Sequence, residues 1–296
     1  MSAARETPAR STVQTPDGRT LEIALAGPED GTPLFVLHGT PGAAGLFGPS
    51  IATAAERGLR SVAYSRPGHA GSDRQAGRRV ADCASDVAAI ADALGFDRFH
   101  TVGGSGGGPH SLACARLLPA RVISAATIAS CAPFDAEGLD WTAGMGDENI
   151  EEFAAMEAGP QALEAFLEGE AKAMAGTTGA DIVQALGDLI SDVDARALTG
   201  DFGDYMADQL ERSLSNGIWG WFDDDVAFST DWGFDLDGIE VPVSIWQGSQ
   251  DRFVPLAHGE WLAEHVNGAR VRMRPEEGHL SLVTDSYGQV LDDLVA

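Results

Sequence analysis

The stretch Gly103-Gly104-Ser105-Gly106-Gly107 decides the fold, because an apolar segment precedes it and a helix-like segment follows it. A serine at a tight turn from strand to helix has a strained backbone, so the residues two positions before and after it must be small. Gly103 and Gly107 satisfy that requirement. The hydroxyl then projects at the carboxyl edge of a sheet, near a helix N-terminus that favours negative charge. The stretch therefore predicts that Ser105 is a nucleophile.

Two nucleotide-binding motifs fit the same glycines poorly. A dinucleotide-binding turn needs the pattern G-x-G-x-x-G, and Pro109 or Ser111 stands where its third glycine belongs. A phosphate-binding loop ends in G-K-[ST], and no lysine lies in this stretch. A glycine turn with a purely structural role is the remaining alternative to a nucleophile.

A serine nucleophile needs a base, and the base needs a carboxylate that orients it. Asp251 follows the predicted strand 241–247, and His279 follows the predicted strand 269–274. Loops after strands are where open α/β sheets place their sites, and the order Ser, Asp, His along the chain is expected for this topology. We therefore predict that Ser105 is the nucleophile, His279 the base and Asp251 the orienting acid.

The other six histidines are weaker candidates for the base. They end a strand, sit in a Gly/Pro turn, or fall within a strand or a helix: His38, His69, His100, His110, His258 and His265. Packing or solvation explains histidines at such positions without a catalytic role. We name His38, which ends the predicted strand 33–38, as a candidate substrate contact.

Acyl transfer also needs backbone N–H donors for the oxyanion that develops on the substrate carbonyl. Gly106 directly follows the predicted nucleophile and supplies one such N–H. The loop His38-Gly39-Thr40-Pro41-Gly42 follows another predicted strand, and we assign the second donor to the Thr40 N–H. An ordinary Gly/Pro turn is the alternative interpretation of this loop.

Strand and helix signals alternate at both ends of the chain but not in its middle. Predicted strands cover residues 11–15, 20–26, 33–38, 59–65, 98–103, 121–130, 241–247 and 269–274. This alternation predicts an α/β fold, a mostly parallel twisted sheet with helices on both faces. The middle of the chain lacks strong strand signals, with predicted helices at 150–156, 161–174, 180–192 and 202–215. Because that segment is too long for a loop, we predict a core of residues 1–133 and 235–296 and a helical cap of residues 134–234.

The composition is strongly acidic. The chain has 45 Asp and Glu residues against 19 Lys and Arg residues, for a formal net charge of −26 at pH 7. That charge repels phosphate backbones and anionic membrane surfaces, so we expect neither a nucleic-acid nor a membrane partner. No apolar run reaches the roughly 18 residues of a membrane span, and residues 1–10 lack the apolar region of a secretory signal.

The number and spacing of the cysteines and histidines indicate which redox environment and which cofactors to expect. Cys83, Cys114 and Cys131 are odd in number and form no C-x-x-C pair, so we expect buried thiols and a cytoplasmic location. The chain has no H-E-x-x-H motif and no clustered Cys and His, so we expect no metal site and no cofactor. The expected partner is a small-molecule substrate, and a homodimer is the oligomer that we consider.

The motifs resemble those of the α/β-hydrolase family and stand in the family's order. They are HGTPG at 38–42, SRPGHAGS at 65–72, GGSGG at 103–107, GSQDRFVP at 248–255 and GH at 278–279. The resemblance covers nearly the whole chain and is closest in kind to the capped branch with esterases, prolyl iminopeptidase-like proteins and carbon–carbon bond hydrolases. It implies the same roles: Ser105 as nucleophile, His279 as base, Asp251 as orienting acid, and Thr40 and Gly106 as oxyanion donors.

Two departures from individual relatives bear on the expected reaction. In prolyl iminopeptidases the loop that corresponds to residues 38–42 resembles HGGPG, and a Trp usually follows the nucleophile. This chain has Thr40 in that loop and Gly106 after Ser105. Epoxide hydrolases and haloalkane dehalogenases use an aspartate where this chain has Ser105. The resemblance therefore implies a cofactor-independent serine hydrolase that cleaves a small, apolar carboxylic ester through an acyl-enzyme. The alternatives are a carbon–carbon bond hydrolase or lyase, an iminopeptidase-like amidase, and a non-catalytic ligand-binding protein.

The predicted cap is rich in large apolar side chains: Trp141, Met145, Trp219, Trp221, Phe222 and Trp232. Such side chains either pack the cap against the core or line a pocket for an apolar or aromatic substrate. We name Trp141, Met145, Trp219 and Trp221 as candidate substrate contacts. Acidic cap residues bind an amine in iminopeptidases, and Glu148, Glu151 and Glu152 are candidates for that role or for a solvated helix face.

Overall fold

An eight-stranded sheet runs through the structure, a computed structural model that describes residues 7–296. The strands are β1 Ala9–Gln14, β2 Thr20–Ala26, β3 Thr32–Leu37, β4 Leu59–Tyr64, β5 Phe99–Gly104, β6 Val122–Ile128, β7 Val243–Gly248 and β8 Arg270–Arg274. They lie in the order β1-β2-β4-β3-β5-β6-β7-β8. Strand β2 pairs antiparallel with β1 and β4, and the other neighbouring strands are parallel. The predicted α/β fold is confirmed.

Helices connect the strands and cover both faces of the sheet. They are α1 Gly48–Ala55, α2 Cys83–Leu94, α3 Gly107–Leu117, α4 Asp147–Ala158, α5 Pro160–Met174, α6 Ile182–Ala185, α7 Asp192–Ala197, α8 Gly200–Ser213, α9 Trp219–Ser229, α10 Leu256–His265, α11 Ser281–Asp285 and α12 Tyr287–Val295. Short 3₁₀ turns occur at Val80–Asp82 and Gly187–Leu189.

Alternation along the central strands separates two hydrophobic clusters. In β3, Leu34 belongs to a cluster with Trp246 and with Leu291 of α12. Its neighbour Phe35 belongs to the opposite cluster, with Leu112 of α3, because successive side chains of a strand point to opposite faces. Each fully buried aliphatic or aromatic side chain of this kind stabilises the fold by roughly 1.5–3 kcal/mol. These clusters make the sheet a rigid base for the loops at its edge.

The segment between β6 and β7 contains helices α4–α9 and, throughout residues 129–242, no strand. Helix α9 was not predicted from the sequence, because its helical signal is weak: Trp221, Phe228 and the polar residues 223–225 are all buried. The predicted helix 180–192 is broken instead into α6 and a 3₁₀ turn, and Gly187 has a left-handed φ of 51° at the break. The division into core and cap stays a prediction, and we call residues 129–242 the insertion.

The carboxyl ends of four parallel strands bring distant loops to one edge of the sheet. The register pairs Leu37 of β3 with Gly103 of β5, and Gly248 of β7 with Arg274 of β8. The loop 38–42, the serine turn and the loops after β7 and β8 therefore start beside one another. We call residues 38–42 the oxyanion loop and residues 276–281 the histidine loop.

The described part of the chain also bears on the N-terminal and cysteine predictions. Within residues 7–296, no helix combines the length and the apolar character that crossing a bilayer requires. The prediction about a secretory signal concerns residues 1–10, and residues 1–6 lie outside what the structure describes. Cys83, Cys114 and Cys131 are free and buried, as predicted.

Candidate active site

Ser105 occupies a left-handed turn between β5 and α3, with φ of 53°. Its N–H donates to the Ile128 carbonyl at 2.8 Å, which ties the turn to the neighbouring strand. A Cβ on Gly103 would lie 2.0 Å from the Gly107 carbonyl oxygen, and a Cβ on Gly107 would lie 2.1 Å from the Leu37 carbonyl oxygen. Both positions therefore require glycine. At Gly103 the reason is the close approach within the turn that the sequence predicted, and at Gly107 it is the backbone at the end of β3.

His279 and Asp251 meet across the loops after β8 and β7. His279 Nδ1 lies 2.8 Å from Asp251 Oδ2. The other carboxylate oxygen accepts the Phe253 and Val254 N–H groups at 2.9 and 2.8 Å. The Phe253 ring also stacks on the imidazole, with ring centroids 4.6 Å apart. Because a carboxylate only accepts, Nδ1 carries the proton, and Nε2 is the ring nitrogen that is free to act as a base.

Burial and charge act in opposite directions on this pair. Desolvation alone would lower the pKa of His279, but the Asp251 carboxylate, with a smaller contribution from Asp194, raises the pKa above its ordinary value. Burial raises the pKa of Asp251, while the His279 ring and the Val254 N–H counteract that rise. A base whose pKa lies near the working pH is what proton transfer from a serine requires.

Ser105 and His279 both line one cavity of about 270 Å³. Within residues 7–296, no hydrogen bond joins the Ser105 hydroxyl to the imidazole. Such contacts often tighten only when substrate binds. The structure thus joins two of the three predicted residues directly and places the third on the same cavity wall.

Thr40 and Gly106 lie against each other beside the serine. A Cβ on Gly106 would be 2.5 Å from Thr40 Oγ1, and a Cβ on Gly39 would be 3.2 Å from Ser105 Cβ. In the described part of the chain, neither the Thr40 N–H nor the Gly106 N–H has a protein acceptor. Gly106 also caps α3, so the positive end of that helix faces the same point. The geometry can place two backbone donors on a developing oxyanion.

His38 lines the cavity, but its ring nitrogens are committed within the protein. Nδ1 donates to the Gly39 carbonyl at 2.7 Å, and Nε2 accepts the Arg66 N–H at 3.0 Å. Burial, together with the Arg66 charge, lowers the pKa of His38 well below its ordinary value. A substrate can therefore meet only the neutral ring's carbon edge.

A buried charge network that was not predicted from the sequence anchors the oxyanion loop. Asp224 of α9 binds Arg66 at 2.6 and 3.0 Å, and its Oδ2 accepts the Thr40 hydroxyl at 2.7 Å. Arg78 and His69 also contact this carboxylate, at 2.6 and 3.0 Å. Although burial alone would raise it, the guanidinium groups hold the pKa of Asp224 well below its ordinary value.

Arg66 links that carboxylate to the loop backbone. It donates to the carbonyls of His38 and Gly39 and to Thr40 Oγ1. The SRPG turn contains this arginine and is the only sequence signal that could have found it, since nothing in the sequence connects it to α9. The insertion thus supplies a counter-ion for Arg66, which holds the oxyanion loop.

The predicted cap contacts divide into two groups. Trp221 lines the cavity and donates its Nε1–H to Glu152 Oε1 at 2.5 Å. Trp141 and Met145 instead pack in the hydrophobic core, and the Trp141 indole donates to the Ala132 carbonyl. The Arg74 guanidinium lies over the Trp219 ring, with Arg74 Cζ 4.1 Å from the ring centroid. These three side chains are not among the residues that line the cavity with Ser105 and His279, and their role as substrate contacts stays a prediction.

The cavity wall is largely apolar with an acidic part. Apolar lining residues include Phe166, Met174, Leu186, Phe202, Met206 and Leu210. Glu148, Glu152 and Glu170 also line it, whereas Glu151 is exposed. Burial raises the pKa of Glu152 to about 7, so this carboxyl is partly neutral at physiological pH. Among residues 7–296, no group of three or more His, Cys, Asp or Glu side chains is arranged to hold a metal ion.

The chain belongs to the α/β-hydrolase family, because residues 32–286 match the family model for the alpha/beta hydrolase fold. It is 30% identical over 251 residues to a non-heme chloroperoxidase of Streptomyces lividans, covering 83% of this chain and 84% of the relative. It is also similar to a hydrolase structure from Pseudomonas aeruginosa PA01, with a TM-score of 0.67, 24% identity and coverage of 97% and 98%. The esterase RhEst1 from Rhodococcus sp. ECU1013 gives a TM-score of 0.66, 20% identity and coverage of 97% and 98%. The protein is a hydrolase of this family.

Proposed function

We propose that the protein is a serine hydrolase that needs no cofactor and cleaves a small, apolar carboxylic ester. The observation that carries this proposal is the 2.8 Å contact between His279 Nδ1 and Asp251 Oδ2, with His279 and Ser105 lining the same cavity. Asp251 fixes the ring tautomer, so that His279 Nε2 is available to accept the Ser105 proton. The left-handed turn at Ser105 supports the role of its hydroxyl as nucleophile.

The reaction proceeds in two balanced steps. In the first, Ser105 Oγ bonds to the ester carbonyl carbon while His279 Nε2 accepts its proton. The carbon–oxygen bond to the alcohol then breaks, and His279 returns that proton to the leaving alcohol. In the second step, His279 takes a proton from water while the water oxygen bonds to the acyl carbon. The bond from that carbon to Ser105 Oγ then breaks, His279 returns the proton to Oγ, and the carboxylic acid and free Ser105 are released.

The oxyanion donors set much of the expected rate. Negative charge develops on the carbonyl oxygen in both steps, and the Thr40 and Gly106 N–H groups stabilise it. Loss of one such donor typically lowers the rate by ~10²–10³-fold. Because Arg66 and Asp224 hold the oxyanion loop in a buried network, these donors are positioned before the substrate arrives.

Replacement of the nucleophile tests the proposal. We expect Ser105→Ala to lower hydrolysis of p-nitrophenyl acetate by ~10⁴–10⁶-fold and to abolish labelling by a fluorophosphonate, which forms an oxygen–phosphorus bond with serine and releases fluoride. Ser85→Ala is the matched control, since Ser85 lies exposed on α2. Labelled wild-type protein, digested and mapped by mass spectrometry, should carry the probe on Ser105. Unchanged turnover by Ser105→Ala would refute the assignment.

The cavity lining indicates the substrate class. A mostly apolar cavity of about 270 Å³ favours short uncharged acyl groups over long ones. The acidic side chains Glu148, Glu152 and Glu170 leave the amidase-like alternative to be tested. A panel of p-nitrophenyl esters from acetate to octanoate, with an aminoacyl ester beside its neutral isostere, decides between them. A preference for the neutral ester supports our proposal, and a preference for the amine supports the alternative.

Transfer of the acyl group to hydrogen peroxide is a second candidate function. The Streptomyces lividans relative, which is described as a non-heme chloroperoxidase, favours it. Peroxide would replace water as the attacking group on the acyl-enzyme, so that the product is a peracid. Peracid formation from p-nitrophenyl acetate and peroxide, absent in Ser105→Ala, tests this candidate. The carbon–carbon bond alternatives are separated from ester hydrolysis by dienone and cyanohydrin substrates.

A further inference from the structure

One carboxylate from the insertion binds the backbone of the histidine loop directly. Asp194 Oδ2 accepts the His279 N–H at 3.0 Å, and Oδ1 accepts the Leu280 and Ser281 N–H groups at 2.7 and 2.9 Å. Three consecutive N–H groups therefore converge on one side chain, although 85 residues separate Asp194 from His279. A loop that follows a strand is ordinarily mobile, and this contact fixes the loop at the residue that carries the imidazole.

The surroundings of Asp194 hold the carboxylate itself in place. The side chain is completely buried, and the Ser191 hydroxyl, which caps α7, donates to Asp194 Oδ2 at 2.8 Å. A Cβ on Gly278 would lie 2.3 Å from the same oxygen, so the backbone of the loop passes directly against the carboxylate. A buried carboxylate without such donors would be strongly destabilising.

We propose that Asp194 is a positioning residue for His279, through which the insertion fixes the place of the base. This inference rests on the proposed function of Ser105 and His279. Asp194 fixes the backbone of His279, while Asp251 fixes its ring. The insertion is then part of the catalytic unit and not only a cover over the substrate.

The negative charge of Asp194 gives this role a signature that packing alone lacks. The charged groups that act on the buried His279 ring are Asp251, from the loop after β7, and Asp194, from the insertion. Both favour the protonated imidazole. Replacing Asp194 by a neutral residue should therefore lower the pKa of His279, so that the base stays unprotonated, and the enzyme active, to lower pH.

The test measures the rate of fluorophosphonate labelling against pH for wild type, Asp194→Asn and Asp194→Ala. Asp194→Asn keeps an oxygen for two of the three N–H groups, and we expect a loss of about 10-fold at the plateau. Asp194→Ala removes the whole anchor, and we expect a loss of ~10²-fold, as a misplacement of about 1 Å produces. In both variants the acid limb should move to lower pH.

A matched control separates positioning from general support of the insertion. Asp223 of α9 is also buried and also bridges to the core, but it pairs with Arg74 and with neither catalytic loop. Asp223→Asn should keep the wild-type plateau and the wild-type acid limb. Circular dichroism checks folding, and the isosteric Asp194→Asn carries the test if Asp194→Ala does not fold.

The outcomes distinguish this inference from the proposed function. Labelling of wild type at Ser105, with a slower rate and a displaced limb in the folded Asp194 variant, supports both. Wild-type labelling with an unchanged rate and limb in that variant overturns the inference alone. If the Asp194 variant and Asp223→Asn are both labelled more slowly and neither shifts the acid limb of the pH profile, Asp194 gives structural support only. That result also overturns the inference. Absence of wild-type labelling overturns the proposed function and the inference with it.

Discussion

The oxyanion loop and the histidine loop are both held by a buried aspartate of the insertion, but the two anchors differ in charge balance. Asp224, behind the oxyanion loop, pairs with Arg66 and Arg78 and accepts a hydrogen bond from Thr40. Asp194, behind the histidine loop, is bound by backbone N–H groups and the Ser191 hydroxyl. Within residues 7–296, no arginine, lysine or histidine forms an ion pair with Asp194.

Because of this difference, we expect Asp224 to act on its loop mainly through geometry and Asp194 to act on its loop through charge as well. Two guanidinium groups neutralise Asp224, so its contribution to the oxyanion loop is mainly geometric. Asp194 has no such counter-ion, so its field reaches His279, on which a positive charge develops during the proposed reaction. The oxyanion loop needs fixed backbone donors, whereas the base needs both a fixed place and a suitable pKa.

The largest expected effect comes from replacing Asp224, the anchor whose charge two arginines neutralise. Asp224→Asn leaves Arg66 and Arg78 buried without a counter-ion, and loss of one partner of a buried ion pair destabilises by about 3–5 kcal/mol. Urea unfolding followed by circular dichroism measures this change. Asp223→Asn is the control, because Arg74 is 34% exposed and partly solvated pairs contribute ~0–1 kcal/mol. Equal losses in the two variants would contradict the special role of Asp224.

A charge-conserving change tests whether the oxyanion anchor acts through geometry. Arg66→Lys keeps the positive charge but loses the planar fork that binds Asp224 and the loop carbonyls together. We expect kcat/KM for p-nitrophenyl acetate to fall by ~10²–10³-fold, with the acid limb of the pH profile unmoved. Arg74→Lys should leave kcat/KM nearly unchanged. A limb that shifts in Arg66→Lys would show that this anchor also acts through its charge.

The pH dependence of wild-type kcat/KM tests the role of His279 in this comparison. Because the pKa of His279 is raised above 6.5 and the base must be neutral, kcat/KM at pH 6.5 should be less than half its plateau at higher pH. Stopped assays corrected for spontaneous hydrolysis measure the profile. Glu152 lines the same cavity and has a pKa of about 7. Because His279 and not this carboxyl is the proposed base, Glu152→Gln should leave the limb in place. A limb that moves with Glu152 would assign the titration to that carboxyl instead.

The smallest expected effect concerns Ser191, whose hydroxyl donates to Asp194 behind the histidine loop. Ser191→Ala removes one donor to Asp194 and the cap of α7, which should lower the free energy of unfolding by ~1 kcal/mol and slow Ser105 labelling slightly. Thr178→Ala removes a similar hydroxyl contact, to Asp181 in the same insertion, which touches no catalytic loop. Thermal unfolding and labelling rates should therefore separate them, with slower labelling only in Ser191→Ala. Equal labelling would mean that Asp194 needs no support from Ser191.

Much of the core was accessible from local sequence. The strands are short apolar runs bounded by turns, and the glycine at 103 follows from steric limits within five residues, whereas Gly107 is required by the Leu37 carbonyl of β3. Parts of the insertion were less accessible, because α6 and α7 have only four and six residues and α9 is buried on several sides. In α9, three consecutive aspartates resemble a solvated surface segment, yet Asp224 is completely buried, and only partners from distant parts of the core make that burial tolerable.

The sequence by itself determined the parallel sheet, the strained serine turn and the candidate residues at strand ends, because periodicity, glycine sterics and chain order are local properties. The tertiary structure alone decided that Asp251 meets His279, that Trp141 and Met145 belong to the core, and that Asp194 and Asp224 hold the histidine loop and the oxyanion loop. Each of these depends on a contact between groups far apart in the chain. Such contacts are selected by packing and by the need to satisfy buried charge, which no local pattern encodes.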